Sequence, residues 1–214
     1  MAVYIIVSII AYLLGSISFS VIISKKMAGF DVRQKGSGNA GSTNVLRTVG
    51  KKAALLTLIC DILKGVVAVL IAFVAGKIFK DLDNALLVQL AGILVVLGHT
   101  FPIFFKFKGG KGVATSLGVI LIINWQIGLI CLVFALILMA LTRIVSLGSM
   151  AAAVLFPVLV LFINQNYLVS KTDNIGYLVF SILLAVLVVF NHRTNLKRIF
   201  NGTENRLGIK NNTK

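Results

Sequence analysis

Apolar residues in this chain are laid down in long, nearly uncharged blocks, and that feature excludes most folds before any motif is considered. The blocks run from Ala2 to about Ser24, Ala53 to Gly76, Asn84 to Phe105, Val113 to Leu141, Gly148 to Ile163 and Asn174 to Phe190. A helix needs about 20 apolar residues to cross the hydrocarbon of a bilayer. Charge is correspondingly scarce: 13% of the 214 residues are charged, against about 25% in a soluble domain. So small a supply does not cover a globular surface. The chain reads as an all-α integral membrane protein of one domain, residues 1–214. Its first block has the length of a signal peptide but no basic start and no convincing cleavage site, and it is read as a retained helix.

Lys and Arg outnumber Asp and Glu by 21 to 6, a formal net charge of +15. In a soluble chain that excess suggests nucleic acid. Between apolar blocks it results instead from the collection of basic residues in cytoplasmic loops, so no nucleic-acid partner is expected. The same rule decides how to divide the 29 residues from Val113 to Leu141. Two short helices joined near Asn124–Gly128 put 17 basic residues on one face, with Asp31 and Glu204 as its two acids. The other face then holds Lys77, Lys80, Lys171, Asp81, Asp83 and Asp173, which cancel. A single crossing would send Arg143 and the basic tail to the wrong side. Seven transmembrane helices are therefore expected, with the N-terminus outside and the C-terminus cytoplasmic.

Most of the polar chemistry falls on that basic face. The loop Lys25–Lys52 alternates Gly36, Gly38 and Gly41 with Ser37, Asn39, Ser42, Thr43 and Asn44. Such a run can present successive N–H groups and hydroxyls to an oxyanion, and the fork of Arg47 just beyond it suits phosphate. A second cluster, Lys106–Gly118, carries Lys108, Gly109, Gly110, Lys111 and Gly112. It is not a Walker A loop, because Gly112 stands where Ser or Thr is required. It still puts a lysine among glycines at a helix start, where free N–H groups favour an anion. Arg143, Ser146 and Ser149 form a third notch. The fourth segment, Asn191–Arg206, places His192, Asn195 and Ile199 near one helical stripe and Arg193 and Lys197 on another, with Asn201–Gly202 ending the helix and Glu204 beyond.

The remaining polar residues read more plainly. Asp61 and Lys64, three apart, read as a structural pair that lowers the cost of burying either charge, the alternative being that Asp61 begins a proton path. His99, two turns before the glycines, is a hydrogen-bonded packing residue or a part of the site. Cys60 and Cys131 sit in apolar blocks as small hydrophobes. No metal-ligand spacing occurs, and neither a metal nor a cofactor is expected.

A basic, amide- and hydroxyl-rich pocket surrounded by apolar helices suits a substrate with an anionic head and an acyl tail. That description covers a lipid-synthesising transferase, a lipid phosphatase, or a lipid flippase or anionic-lipid carrier. Metal-dependent phosphotransfer would want several carboxylates, and only Asp31 and Glu204 lie on this face. Neither His99 nor His192 has an aspartate at the spacing of a His-Asp acyltransferase dyad. A flippase would need a polar path across the membrane, for which Asp61, Lys64 and scattered Asn or Ser are the only candidates.

The motifs, taken together, resemble the bacterial acyl-phosphate-dependent glycerol-3-phosphate acyltransferase family. The resemblance rests on GSISFS at Gly15–Ser20, GSGNAGSTNVLR at Gly36–Arg47, GHTFPIFFKFKGGKGVAT at Gly98–Thr115 and HRTNLKRIFNGTE at His192–Glu204. It implies seven helices with the motifs at the cytoplasmic face of a bacterial cell membrane. It further implies transfer of a fatty acyl group from acyl phosphate to the 1-hydroxyl of glycerol 3-phosphate, by a protein that functions as a monomer. Carried onto this chain, the glycerol-phosphate site comprises Ser37, Arg47, Lys111, His192 and Asn195, with Glu204 acting at the closing tail. Phosphate contacts are expected from Gly38, Asn39, Thr43, Asn44, Lys108, Gly109, Gly110, Gly112, Arg143, Ser146 and Arg193.

Overall fold

Short polar interruptions divide the apolar blocks into helices, and each interruption has a local cause. The described residues, 1–163 and 174–208 of the computed structural model, form ten α-helices and two single 3-10 turns. In chain order the helices are α1 (Ala2–Gly15), α2 (Phe19–Ala28), α3 (Ser42–Thr48), α4 (Lys51–Ile78) and α5 (Asn84–Thr100). They continue as α6 (Val113–Ile123), α7 (Trp125–Thr142), α8 (Val145–Phe162), α9 (Asn174–Asn191) and α10 (Arg193–Phe200). Among the described residues, five spans are long and apolar enough to cross a membrane: Ala2–Ala28, α4, Asn84–Phe105, α7 and α8. A sixth is the pair α9 and α10, bent by 59°, and α6 is a shorter apolar helix.

The division of Val113–Leu141 falls at Asn124. This residue is extended, with φ −145° and ψ 94°, and its side-chain oxygen accepts from the Ile127 N–H at 3.1 Å. It thus ends α6 and caps α7 in one step, the usual work of an N-cap asparagine. Asp83 does the same for α5, accepting from Ala85 and Leu86 at 2.9 and 3.1 Å. That helix stops at Thr100 rather than at Phe105, because Pro102 holds the residue before it out of the helical region; Phe101 has ψ 65°.

The first block carries no proline, yet the helix is interrupted between Gly15 and Phe19, at a Gly-Ser pair of the kind that permits a kink. The Ser16 hydroxyl donates to the Tyr12 carbonyl at 2.9 Å, and Lys64 of α4 donates from Nζ to the carbonyls of Gly15 and Ile17, both at 2.9 Å. A cation from another helix thereby satisfies the groups that the break frees. Lys64 also lies 3.0 Å from Asp61 Oδ1, the pairing that the spacing predicts.

Close packing of α4 on α6 aims the start of α6 at the site. A Cβ at Gly65 would lie 2.4 Å from the Thr115 carbonyl oxygen, and one at Gly118 would lie 2.1 Å from that of Ile62. Small residues at helix contacts let backbones approach in this way where there is no hydrophobic drive between helices. The buried core contains Leu87, Val95, Val119 and Ile127 together with Phe156, Tyr177 and Phe180. Tyr177 stacks on Phe180 with ring centroids 5.7 Å apart.

Candidate active site

The first polar loop is organised around Asn44. Its carboxamide accepts from the Ser37 N–H at 2.9 Å and donates to the carbonyls of Val32, Lys35 and Asn39 at 2.9, 3.0 and 3.1 Å. Asn44 thus holds the loop's shape with its own polar atoms. Gly36 is left-handed, φ +61°, and a Cβ there would meet Asn44 Oδ1 at 2.3 Å. The Gly38 N–H turns back to the Lys35 carbonyl at 3.2 Å. Ser37 is exposed at the tip, Thr43 lies in the first turn of α3, and Arg47 is exposed in its last turn.

Arg33 ties this loop to the glycine segment. Its guanidinium pairs with Asp31 at 2.7 Å and donates to the carbonyls of Phe105 and Lys108 at 2.8 and 3.1 Å. The Lys108 side chain itself is exposed. Gly109 and Gly110 then lie flat on the end of α5, donating to the carbonyls of Thr100 and His99, both at 3.1 Å. A Cβ on Gly109 would be 2.0 Å from the His99 carbonyl oxygen, and one on Gly110 would be 2.2 Å from His99 Nε2. These two glycines therefore serve contact with α5, and their N–H groups are already engaged. Lys111 follows, then Gly112 at φ +85°, then the opening turn of α6. The first N–H groups of a helix have no intrahelical partner and attract an anion.

The tail closes on Lys111. Its Nζ donates to Asn195 Oδ1, and Asn195 Nδ2 donates to Glu204 Oε1 at 2.6 Å. Glu204 also accepts from Ser146 Oγ at 2.8 Å and from Arg198 Nε at 2.7 Å. One carboxylate thus joins α8, α10 and the chain beyond it, and through Asn195 reaches the glycine segment. Arg143, left-handed at φ +60°, takes part through its backbone, its carbonyl accepting from the Leu207 N–H at 2.7 Å. His192 is buried at the bend between α9 and α10, with Nδ1 donating to the Val188 carbonyl at 2.8 Å. That bond leaves Nε2 to carry the lone pair of the neutral ring.

Electrostatics reflect this crowding. Burial lowers the Lys111 pKa to about 8, helped by the charges of Arg198 and Arg47 and opposed by Glu204. Burial and then the Lys111 charge push His192 down to about 4, so it is neutral at ordinary pH. For Glu204 burial acts upward, but hydrogen bonds from Asn195, Ser146 and Arg198 outweigh it and hold the carboxyl below its usual range.

Of the residues singled out from sequence, Lys111, Asn195, Glu204 and Ser146 meet directly, while His192 and Arg47 lie within the field of that group. Asn39 takes part in the loop through its carbonyl. Arg193 is engaged elsewhere, exposed over the Phe190 ring at 4.6 Å. Two contributors are not singled out by the sequence, Arg33 and Arg198. For Arg198 a signal existed: Glu204 is the single acid in a tail rich in Lys and Arg, and it needed a partner. Among the described residues, no three His, Cys, Asp or Glu side chains gather as a metal cluster.

The chain as a whole is similar to known proteins. The family model described as glycerol-3-phosphate acyltransferase matches residues 5–202. The glycerol-3-phosphate acyltransferase of Clostridioides difficile strain 630 is 46% identical over 207 residues, covering 97% of each chain. That of Thermoanaerobacter sp. strain X514 is 45% identical over 204 residues, covering 95% of each. Two crystal structures of PlsY, an integral membrane glycerol 3-phosphate acyltransferase, superpose on the fold. The glycerol 3-phosphate form gives a TM-score of 0.82 at 36% identity over 96% of each chain. The lysophosphatidic acid form gives 0.81 at 34% identity, over 96% of this chain and 95% of that one. The chain therefore belongs to the glycerol-3-phosphate acyltransferase family and is a multi-pass integral membrane acyltransferase.

Proposed function

We propose that this protein transfers a fatty acyl group from acyl phosphate to the 1-hydroxyl of sn-glycerol 3-phosphate. The products are 1-acyl-sn-glycerol 3-phosphate and inorganic phosphate. The protein acts as a single-domain monomer in a bacterial cytoplasmic membrane, with seven crossings, the N-terminus outside and the site at the cytoplasmic face. The observation that supports this reading is the Lys111–Asn195–Glu204 chain, which holds a half-buried cation at the opening turn of α6, beside the apolar helices.

The chemistry needs no covalent enzyme intermediate, because phosphate is already a good leaving group. Glycerol O1 bonds to the acyl carbon, the bond from that carbon to the phosphate oxygen breaks, and the hydroxyl proton passes to a phosphate oxygen. Lys111 and Arg47 grip phosphate and stabilise the charge that grows on the carbonyl oxygen. Ser37 and Asn195 orient the acceptor, while Thr43, Arg143 and the opening turn of α6 line the phosphate region. Asn44 positions the loop that carries Ser37. His192 has its Nδ1 proton committed to Val188 and a pKa near 4. It is too weak a base to take the proton efficiently at neutral pH, and it serves as an oriented acceptor for a substrate hydroxyl.

The decisive test supplies palmitoyl phosphate to purified protein in EDTA, with and without glycerol 3-phosphate and without acyl-CoA or acyl carrier protein. Phosphate release that requires glycerol 3-phosphate, with lysophosphatidic acid formed in equal amount, is the expected result. Release without the acceptor, or none with folded protein, overturns the donor assignment. A pH series adds a second check. The free enzyme loses the Lys111 charge as pH rises through about 8, so kcat/KM is expected to be level near neutrality and to fall above that point. A limb between about pH 6 and 7, the range of an unperturbed imidazole, that vanishes in His192→Asn would restore His192 as general base.

A further inference from the structure

Beneath the glycine pair lies a buried ionic cluster that acyl transfer, as derived from Lys111 and its partners, does not use. Asp61 and Lys64 are 2% and 4% exposed, with Lys64 Nζ 3.0 Å from Asp61 Oδ1. His99, 7% exposed in the last turn of α5, brings Nδ1 to 3.5 Å from the same oxygen. With that nitrogen facing the carboxylate, the opposite one faces Gly110, close enough that a Cβ there would be 2.2 Å from Nε2. Gly110 also donates its N–H to the His99 carbonyl at 3.1 Å. His99 therefore touches the glycine segment with both its backbone and its ring, one residue before Lys111.

We propose that His99 is a positioning residue: Asp61, neutralised by Lys64, fixes the imidazole, and the imidazole fixes Gly110 and so the reach of Lys111 toward the acidic head of the substrate. The inference rests on the reading of Lys111 as the cation that grips phosphate. A cluster that only stabilised the bundle would be replaced at little loss by apolar side chains of similar volume. Such side chains do not supply a directed contact. At 3.5 Å, Asp61 and His99 Nδ1 are in ion-pair range without a formed hydrogen bond, and a carboxylate at that distance restrains the ring's orientation by charge, much as outer residues orient inner ones. Lys64 extends the same link to the α1–α2 break through the carbonyls of Gly15 and Ile17. The acidic-head site and the membrane helices thus share one rigid support.

The test titrates glycerol 3-phosphate into full-length protein in detergent by calorimetry, alongside acyl-transfer kinetics at saturating palmitoyl phosphate. In His99→Ala, Kd and KM for glycerol 3-phosphate are expected to rise about tenfold, a misplacement effect, with the binding stoichiometry of the wild type retained. His99→Gln, which can still bond Asp61, is expected to recover most of the loss, and Asp61→Asn to fall between. A merely structural role would lower stoichiometry and kcat together and leave Kd and KM unchanged, which overturns the proposal. Wild-type affinity in His99→Ala overturns it alone, whereas wild-type protein that does not bind glycerol 3-phosphate overturns the site reading as well. Should His99→Ala fail to fold, His99→Gln and Asp61→Asn carry the same comparison.

Discussion

Replacing Lys111 by Met is expected to lower kcat/KM for acyl transfer at least about 1000-fold while the protein remains folded. That loss corresponds to about 4 kcal/mol of transition-state stabilisation. Methionine keeps the length and apolar volume of the stem and removes only the cation, so packing at the start of α6 is preserved. What disappears is a half-buried charge, together with the donor to Asn195. Charge in such a place is worth more than on an open surface, because little water is present to screen it. Lys111→Arg keeps the charge but brings a planar fork to a position built around a single Nζ, and an intermediate loss is expected. Phosphate release and thermal melting of the same preparations check both variants. Activity within about tenfold of the wild type in Lys111→Met, a difference of only about 1.4 kcal/mol, would remove Lys111 from the reacting centre.

Glu204→Ala is expected to have the largest effect on stability and a loss of activity of at least about 100-fold, the scale of a misplaced site. Its carboxylate is the common acceptor for Asn195, Ser146 and Arg198. Truncation leaves three donors without it; Arg198, with 36% of its side chain exposed, can turn to water, but Asn195 and Ser146 are buried, and a buried donor left unsatisfied costs about 1–3 kcal/mol. Glu204→Gln keeps an acceptor for Asn195 and Ser146 but sets an amide against Arg198, so it should fall between alanine and the wild type. The pH dependence has a definite sign. Because the folded carboxyl titrates below its usual range, its contribution is complete above the ordinary glutamate pKa of about 4.3 and fades as pH falls through the folded value. Melting temperatures measured across the acid range should therefore fall less steeply in Glu204→Gln than in the wild type. Parallel curves would show that the three hydrogen bonds carry no stability.

The residues that can be read from sequence are those whose effect is local. Asn124 caps its own helix, Asp83 caps another, and Gly202, left-handed at φ +68°, ends a third. Asp61 and Lys64 are one turn apart, so their pairing comes from helical geometry. The stripe on α10 is equally local, with His192 and Asn195 buried and Arg193 and Lys197 exposed. The features that sequence does not reveal depend on contacts between residues far apart in the chain. The α1–α2 break has no proline to announce it and is completed by a lysine 49 positions from Gly15. The short helix α3 lies within a loop whose glycines and hydroxyls suggest an open anion nest. Gly109 and Gly110 suggest a phosphate cradle, because glycine permits close approach of any kind. In the fold that approach is to the end of α5.

The order in which the parts of the Lys111–Asn195–Glu204 chain emerge during synthesis has a consequence for biogenesis. Asn195 and Glu204 lie downstream of α1 through α9, so translation delivers them only after the long apolar helices. A nascent chain already inserted in the bilayer carries its first polar loop, its glycine segment and Ser146, yet Lys111 still lacks Asn195 and Ser146 still lacks Glu204. On the proposed reading of this site, catalytic competence therefore waits on a segment made after α9, and a polypeptide interrupted there is expected to accumulate as an inserted but inert bundle.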